Sequence, residues 1–336
     1  MSDLDPQGML DVVHASPDLW ARGASIAASA PDWAGAPRAV LVAGMGGSGI
    51  SGDVAVLVGS VGGSSPVVVV KGYDLPAWAS SETPVVAVSH SGGTEETLAV
   101  ARDAIARGCP LAAVTSGGPL ADLVANTGGP VVRIPGDHQP RASFPLLVPA
   151  TLALVARAGA MPSVDAALAR VADTLGPAMP ELDHRAAADA QRLRDRVPVF
   201  VGGRGVAALV AARAKCQVNE NAEVPAFANE IPEANHNEIV GWGGGPDTAY
   251  TIVTIRDADE TEHPRVAARF DISIDLLAAV ADIGPGFRLP SSDLLARLAN
   301  GVAYVDLLSV HLALQRGVDP SPVTRIGELK RRMEQV

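Results

Sequence analysis

The stretch Arg38-AVLVAGMGGSGISGDVAVLVG begins with a short apolar run, passes through a glycine-rich turn and continues with helical spacing. A run of strand length that enters such a turn and leaves as a helix is typical of the opening of a βα unit. Short β-branched runs follow, separated by helical segments: Pro66-VVVV, Pro84-VVAVS, Pro110-LAAVTS and Pro130-VVRIP. Continuously apolar strands are typical of parallel sheets covered on both faces. The sequence therefore predicts a doubly wound α/β domain.

The second half of the chain repeats this pattern. Pro198-VFVGGRG joins an apolar run to a glycine turn, and residues 206–221 have helical spacing. Tyr250-TIVTIRD predicts another strand, and Phe270-DISIDLL is a weaker strand candidate. The predicted organisation has four parts: an N-terminal helical segment at 1–30, a first α/β domain at 31–160, a helical connector at 161–196, and a second α/β domain with carboxy-terminal helices at 197–336.

Composition limits the classes of function. The 336 residues are 48% hydrophobic and carry a formal net charge of −11, which favours a globular protein and disfavours a nucleic-acid surface. The start, MSDLDPQGML, lacks the cationic segment and apolar run of a secretory signal, and no apolar stretch is long enough to cross a bilayer. Cys109 and Cys216 are too few for a disulfide framework. We expect a cytoplasmic protein without membrane or nucleic-acid partners.

The first candidate site is the turn Gly44-Met-Gly46-Gly47-Ser48-Gly49, which satisfies the dinucleotide pattern G-x-G-x-x-G. That interpretation also needs an acidic residue after the second strand, where Lys71 stands, although Asp74 lies a little beyond. The alternative is an anion site, because glycines let backbone N–H groups approach an anion at a helix N-terminus and Ser48 adds a hydroxyl.

The second candidate site favours the anion interpretation. Ser89-His-Ser-Gly-Gly-Thr-Glu-Glu-Thr97 follows a predicted strand and precedes a helix, and the hydroxyls of Ser89, Ser91 and Thr94 alternate with glycines. Hydroxyls and free amides at a helix N-terminus suit a phosphate group. The structural alternative is an N-cap at Thr94 with a capping box, which accounts for only one of the three hydroxyls. Whether His90 contacts the phosphate or points outward stays open.

At this point the motifs G-x-G-G-S and S-x-S-G-x-T-x-E-T resemble the sugar isomerase (SIS) domain. GGRG, before the helix with Lys215, Asn219 and Glu220, is similar to a second SIS copy. The resemblance extends to the bifunctional phosphoglucose/phosphomannose isomerases through three further segments: Asn219-Glu-Asn-Ala222, Pro232-Glu-Ala-Asn-His-Asn237 and Ile326-x-x-Leu329-Lys330. It implies two doubly wound SIS subdomains in tandem and a hexose 6-phosphate substrate, with neither cofactor nor metal.

Roles for individual residues follow from this resemblance. Glu220 matches the family's carboxylate base, and His236 matches a histidine acid/base that the partner subunit contributes, which implies a homodimer. Arg141 and Lys330 match cations that support the charged intermediate. Six residues match the phosphate-binding site, namely Gly46, Gly47, Ser48, Ser89, Ser91 and Thr94. Lys215 is assigned a structural role.

The reaction requires such groups in any case. An imidazole can shuttle the proton that opens a cyclic sugar, and a carboxylate can move a proton between C2 and C1. A cation stabilises the enediolate formed between these steps. The same residues also fit roles without catalysis. Glu220 could be a surface residue at a helix end, His236 a hydrogen-bonded loop histidine, and Lys330 a solvated lysine. A non-catalytic regulator that binds a sugar phosphate is the alternative function.

Overall fold

The computed structural model describes residues 4–35, 37–242 and 249–336. The chain divides into two compact units. The amino-terminal unit comprises Ala15–Pro177 with Asp293–Ala299, and the carboxyl-terminal unit comprises Met1–His14, Ala178–Ser292 and Asn300–Val336. The domain boundaries drawn from the sequence stay a prediction.

Helices and strands alternate through most of the described chain. The helices are α1 (Met9–His14), α2 (Ser16–Ala28), α3 (Gly46–Gly62), α4 (Glu95–Ala106), α5 (Gly118–Ala125), α6 (Phe144–Arg157), α7 (Asp165–Leu193), α8 (Val206–Asn221), α9 (Glu238–Gly241), α10 (Pro264–Leu277), α11 (Leu294–Gln315) and α12 (Thr324–Met333), with a 3-10 helix at Glu233–His236. The strands are β1 (Val40–Ala43), β2 (Val67–Val70), β3 (Val85–Val88), β4 (Leu111–Thr115), β5 (Val131–Arg133), β6 (Val197–Gly202), β7 (Phe227–Glu230), β8 (Tyr250–Arg256), β9 (Asp282–Ile283) and β10 (Phe287–Arg288). None of the helices within the described ranges combines the length and the apolar character needed to cross a membrane.

The amino-terminal unit is built on a parallel sheet with the strand order β2-β1-β3-β4-β5. β1 pairs with β2 from Val40↔Val67 onward and with β3 from Leu41↔Val85 onward. Every residue of β1, β3 and β4 is buried, as expected for strands of a parallel sheet covered by helices. The predicted parallel α/β architecture is confirmed.

Helix α6 packs against α2, and all of its residues from Phe144 to Val155 are buried. The Trp20 and Phe144 rings meet edge to face with centroids 6.0 Å apart. A Cβ on Gly23 would come within 2.2 Å of the Pro145 carbonyl oxygen, so glycine is required where the two helices approach most closely. This packing fixes the start of α6, and with it the end of the loop that joins β5 to α6.

The carboxyl-terminal unit contains a second parallel sheet with the order β10-β8-β6-β7, in which β9 also pairs with β8. β9 and β10 lie beside opposite ends of β8, next to Thr251 and Ile255 respectively. In each sheet the first strand of the unit therefore lies between the second and the third. The internal repeat predicted from the sequence is present at the level of topology.

One predicted strand is wrong. Residues from Phe270 onward belong to helix α10, which begins at Pro264 with the His263 ring nitrogen accepting a hydrogen bond from the Arg265 amide. The alternating pattern of this segment also has helical spacing, and Val266, Phe270 and Ser273 form its buried face. The His263 cap and Pro264 at its start favour a helix over a strand for this segment.

A buried polar cluster connects α8 with α11. The Arg213 guanidinium donates Nε and Nη2 to the two carboxylate oxygens of Asp306 at 2.8 and 2.7 Å, and Gln217 donates to the same carboxylate at 3.0 Å. One helical turn further, Asn221 donates to Ser309 at 2.8 Å. All these side chains are buried, so their hydrogen bonds and the opposite charge of Asp306 replace the water that would otherwise surround them.

We expect Asp306→Asn to lower the free energy of unfolding by about 3 kcal/mol, because it leaves the buried Arg213 charge without its counter-ion. Glu328→Gln is the control, since Glu328 pairs with Arg332 on the exposed surface of α12 and such pairs contribute less than about 1 kcal/mol. Urea unfolding monitored by circular dichroism measures both. Equal midpoints for the two variants would contradict the assignment.

Candidate functional site

The carboxyl ends of β1 and β3 form the switch point of the first sheet. From β1 the chain returns through α3 to β2 on one side, whereas β3 leads through α4 to β4 on the other. The helices that follow β1 and β3 therefore leave a crevice between the two strand ends, and ligands of open α/β sheets bind at this place. The observed order differs from the order 3-2-1-4-5-6 of dinucleotide-binding sheets, which weakens that interpretation of the first turn.

The turn after β1 presents backbone amides at the start of α3. Gly46 is exposed, has a φ of +51° and has open space where a Cβ would stand. A Cβ on Gly47 would lie 3.2 Å from the Pro140 carbonyl oxygen, so the loop that precedes α6 passes directly over this turn. Ser48 is buried, and its hydroxyl accepts a hydrogen bond from the His90 amide at 3.2 Å.

The turn after β3 carries the other hydroxyls. Ser89 is fully buried; its Oγ lies 2.8 Å from Thr94 Oγ1 and accepts a hydrogen bond from the Gly92 amide at 3.1 Å. The exposed Ser91 accepts from the Gly93 amide at 3.3 Å. Gly92 has a φ of +69°, and a Cβ there would lie 1.8 Å from the Gly117 carbonyl oxygen. Only glycine fits that position.

Thr94 occupies the N-cap position of α4, but its side chain makes no capping hydrogen bond. Its hydroxyl faces Ser89 instead. The capping interpretation of the sequence motif therefore fails for Thr94. Two neighbouring turns thus place the hydroxyls of Ser48, Ser89, Ser91 and Thr94 near the first amides of α3 and α4, an arrangement suited to an anion.

The charges around these turns have both signs. Glu95 and Glu96 lie in the first turn of α4, where they compete with an anion for the positive end of the helix. On the other side, Arg141 is buried, and its Cα lies 3.5 Å from the place of a Cβ on Gly47. Lys71 follows β2, and its Cε lies 3.3 Å from the place that a Cβ on Gly49 would take. Its Nζ pairs with the Asp53 carboxylate at 2.6 Å.

The sequence analysis left the role of His90 open and considered Thr97 only as part of a capping box. His90 is buried rather than turned outward, and its Nε2 is sealed from solvent without a hydrogen-bond partner among the described residues. Thr97 Oγ1, one helical turn beyond Thr94, is likewise buried and unpartnered within the described ranges. Burial and the nearby His138 lower the pKa of His90 below its usual value, although Asp137 acts in the opposite direction. The imidazole is therefore neutral near pH 7.

Glu220 lies in the carboxyl-terminal unit, in the last turn of α8. Because α8 runs back along the sheet after β6, its last turn lies at the amino-terminal edge of the parallel strands. Glu220 is half-buried, and the neighbouring Asn221 is anchored on Ser309. This anchor restricts the helix end that carries the carboxylate.

His236 lies at the opposite edge of the same sheet. It ends the 3-10 helix that follows β7, and its side chain is exposed. Asn235 anchors this segment by donating to Ser273 at 2.8 Å, and the Asn237 side chain accepts from the Glu238 amide. Within one chain, Glu220 and His236 are thus separated by the length of the strands between them.

Lys330 is exposed on α12. The start of this helix lies near the loop after α8, since Arg325 pairs with Glu223 at 3.1 Å. Lys330 lies five residues beyond Arg325 on the same helix. Over the described ranges, no three His, Cys, Asp or Glu side chains are grouped so that they could hold a metal ion.

Comparison with known proteins adds independent information. Residues 182–333 match the family model of the bacterial phospho-glucose isomerase C-terminal SIS domain. A bifunctional phosphoglucose/phosphomannose isomerase from Caldicellulosiruptor bescii is 33% identical over 88% of this chain and 90% of its own length. Its counterpart from Aquifex aeolicus is 32% identical over 88% and 91%.

A solved structure supports the fold at greater distance. The C-terminal domain of glucosamine-fructose-6-phosphate aminotransferase from Francisella tularensis superposes with a TM-score of 0.73 at 15% identity, covering 94% of this chain and 98% of that one. Identity at this level speaks for the fold alone. The sequence matches over 88% of this chain decide the relationship: the chain belongs to the family of bifunctional phosphoglucose/phosphomannose isomerases.

Proposed function

We propose that the chain interconverts glucose 6-phosphate, and also mannose 6-phosphate, with fructose 6-phosphate through an enediolate and without a metal ion. As a member of its family the chain is an isomerase. The observation that carries the proposal is the meeting of the turns after β1 and β3, which bring Ser48, Ser89, Ser91 and Thr94 to the starts of α3 and α4. The comparisons give no support to a non-catalytic regulator.

The phosphate group is bound by these four hydroxyls and by the amides of Gly46 and Gly47. Helix N-termini and hydroxyls provide hydrogen bonds without covalent chemistry, so they hold the substrate while leaving the sugar end free to react. The backbone of the buried Arg141 lies beside the same turn, and we assign to its cation the role of offsetting the two acidic residues at the start of α4.

Glu220 acts as the base that moves a proton between C2 and C1, and His236 acts as the acid/base that opens the cyclic sugar. Removal of the C2 proton erases the difference between the glucose and mannose epimers, so one enediolate serves both substrates. Arg141 and Lys330 stabilise its negative charge.

We further propose a homodimer in which each site receives His236 from the partner chain. The positions of Glu220 and His236 at opposite edges of one sheet support this arrangement, because one chain does not bring the two groups together. A cytoplasmic location, with a role in glycolysis and gluconeogenesis, completes the proposal. The free thiols of Cys109 and Cys216 are compatible with a reducing compartment.

Glu220→Gln tests the assigned base. We expect kcat for both aldose phosphates to fall by about 100-fold or more, while binding of the phosphosugar persists, because the amide keeps the shape but cannot accept the proton. Coupled assays, run with and without a chelator, measure turnover, and calorimetry measures binding. Glu181→Gln, on the exposed surface of α7, is the control. Unchanged turnover in Glu220→Gln would refute the role, and binding without turnover in the unaltered protein would favour the regulator.

A mixture of two inactive variants tests the shared site. In a mixed dimer of Glu220→Gln and His236→Gln chains, one site holds both substitutions and the other holds neither. Random reassociation should therefore restore about a quarter of the unaltered activity, since about half of the dimers are mixed and each has one intact site. Activity is measured after the purified variants are unfolded together and refolded. An absence of recovery, with dimers formed, would show that both residues act within one chain.

A further inference from the structure

His90 is held rigidly within the serine-rich turn. Its amide donates to Ser48 Oγ at 3.2 Å, and its carbonyl oxygen accepts from the Ser116 amide at 2.9 Å and from the Ser116 hydroxyl at 2.7 Å. These bonds tie the ends of β1, β3 and β4 together through one residue. These backbone hydrogen bonds therefore fix the position from which the His90 side chain extends.

The loop that joins β5 to α6, residues 134–143, covers this imidazole. One part of the loop lies against the end of β4, since a Cβ on Gly136 would be 3.1 Å from Ser116 Cβ. Further along, Pro140 lies over the turn after β1, next to Gly47. In the order β1-β3-β4-β5, a loop that touches both places crosses the end of β3, where His90 stands.

The covered ring lacks a hydrogen-bond partner at one nitrogen. His90 Nε2 is sealed from solvent and unpaired within the described part of the chain, although the nearby loop carries His138 and Asp137. Leaving a buried polar nitrogen unpaired is unfavourable, and folded proteins rarely do so without a reason. A neutral imidazole with an N–H at Nε2 can donate to an anionic oxygen.

We propose that His90 is a further substrate-binding residue, whose Nε2 donates a hydrogen bond to the bound sugar phosphate after a small displacement of loop 134–143 or of the ring. This inference rests on the proposed function, because it takes the crevice beside Ser48 and Ser89 as the binding site. The displacement is required because Nε2 has no surface open to solvent in the free chain. Binding shifts the loop by supplying the contact that the free state lacks.

His90→Leu separates this role from a structural one. Leucine removes the unpaired nitrogen, so the free variant should melt no lower than the unaltered protein. Its affinity for sorbitol 6-phosphate, a phosphosugar without a carbonyl group that cannot be isomerised, should fall about tenfold. His90→Gln, whose amide can place a donor near Nε2, should recover most of the affinity. Calorimetry gives Kd and thermal melting gives stability; His184→Gln, on the exposed surface of α7, is the control.

The outcomes are distinct. Affinity in His90→Leu equal to that of the unaltered protein would overturn the role of His90 and leave the phosphate site intact. Lower melting temperature and lower affinity in both His90 variants would assign a structural role and also overturn the proposal. If the unaltered protein binds neither sorbitol 6-phosphate nor fructose 6-phosphate, the proposed function itself fails. Slower or faster amide exchange in residues 134–143 upon binding would support the required displacement.

Discussion

The hydrogen bond from the His90 amide to the Ser48 hydroxyl joins the two turns on which the candidate phosphate site depends. It forms because the strand order places β1 and β3 side by side while their helices leave in opposite directions. Without this order, Ser48 and Ser89 would follow strands that do not touch. The reversal of winding thus brings the turns that carry Ser48 and Ser89 together at one edge of the sheet.

The second sheet has the same winding, but its candidate residues lie at different positions relative to the strands. In the first unit the hydroxyls stand at the carboxyl ends of the strands, directly after β1 and β3. In the second unit Glu220 stands at the far end of α8, at the amino-terminal edge, and only His236 follows a strand end. Duplicated topology therefore does not duplicate the site, and the proposed function assigns separate tasks to the two copies, anion binding and proton transfer.

The sequence identified the elements whose patterns are local. The β1–α3 unit and helix α8 are where the glycine turns and apolar periods placed them, because buried parallel strands and helices have distinctive spacing. It missed β7, an outer strand whose residues are exposed or half-buried and which lacks an apolar run. It mistook part of α10 for a strand, because the segment fits both periods. Burial of His90 was beyond reach, since the covering loop 134–143 is distant in sequence.

Two groups of buried polar atoms beside the candidate residues differ in whether the protein itself supplies their partners. Arg213, Gln217 and Asp306 satisfy one another within the fold, so the free chain already has their full stabilisation. His90 Nε2, within the serine-rich turn, and Thr97 Oγ1, in the helix that follows it, lack such partners in the described chain. A network completed by protein groups specifies structure, whereas one left incomplete beside a crevice is stabilised by whatever enters it. The unpaired atoms beside the serine-rich turn therefore support the proposal that a polar group of the substrate is bound there.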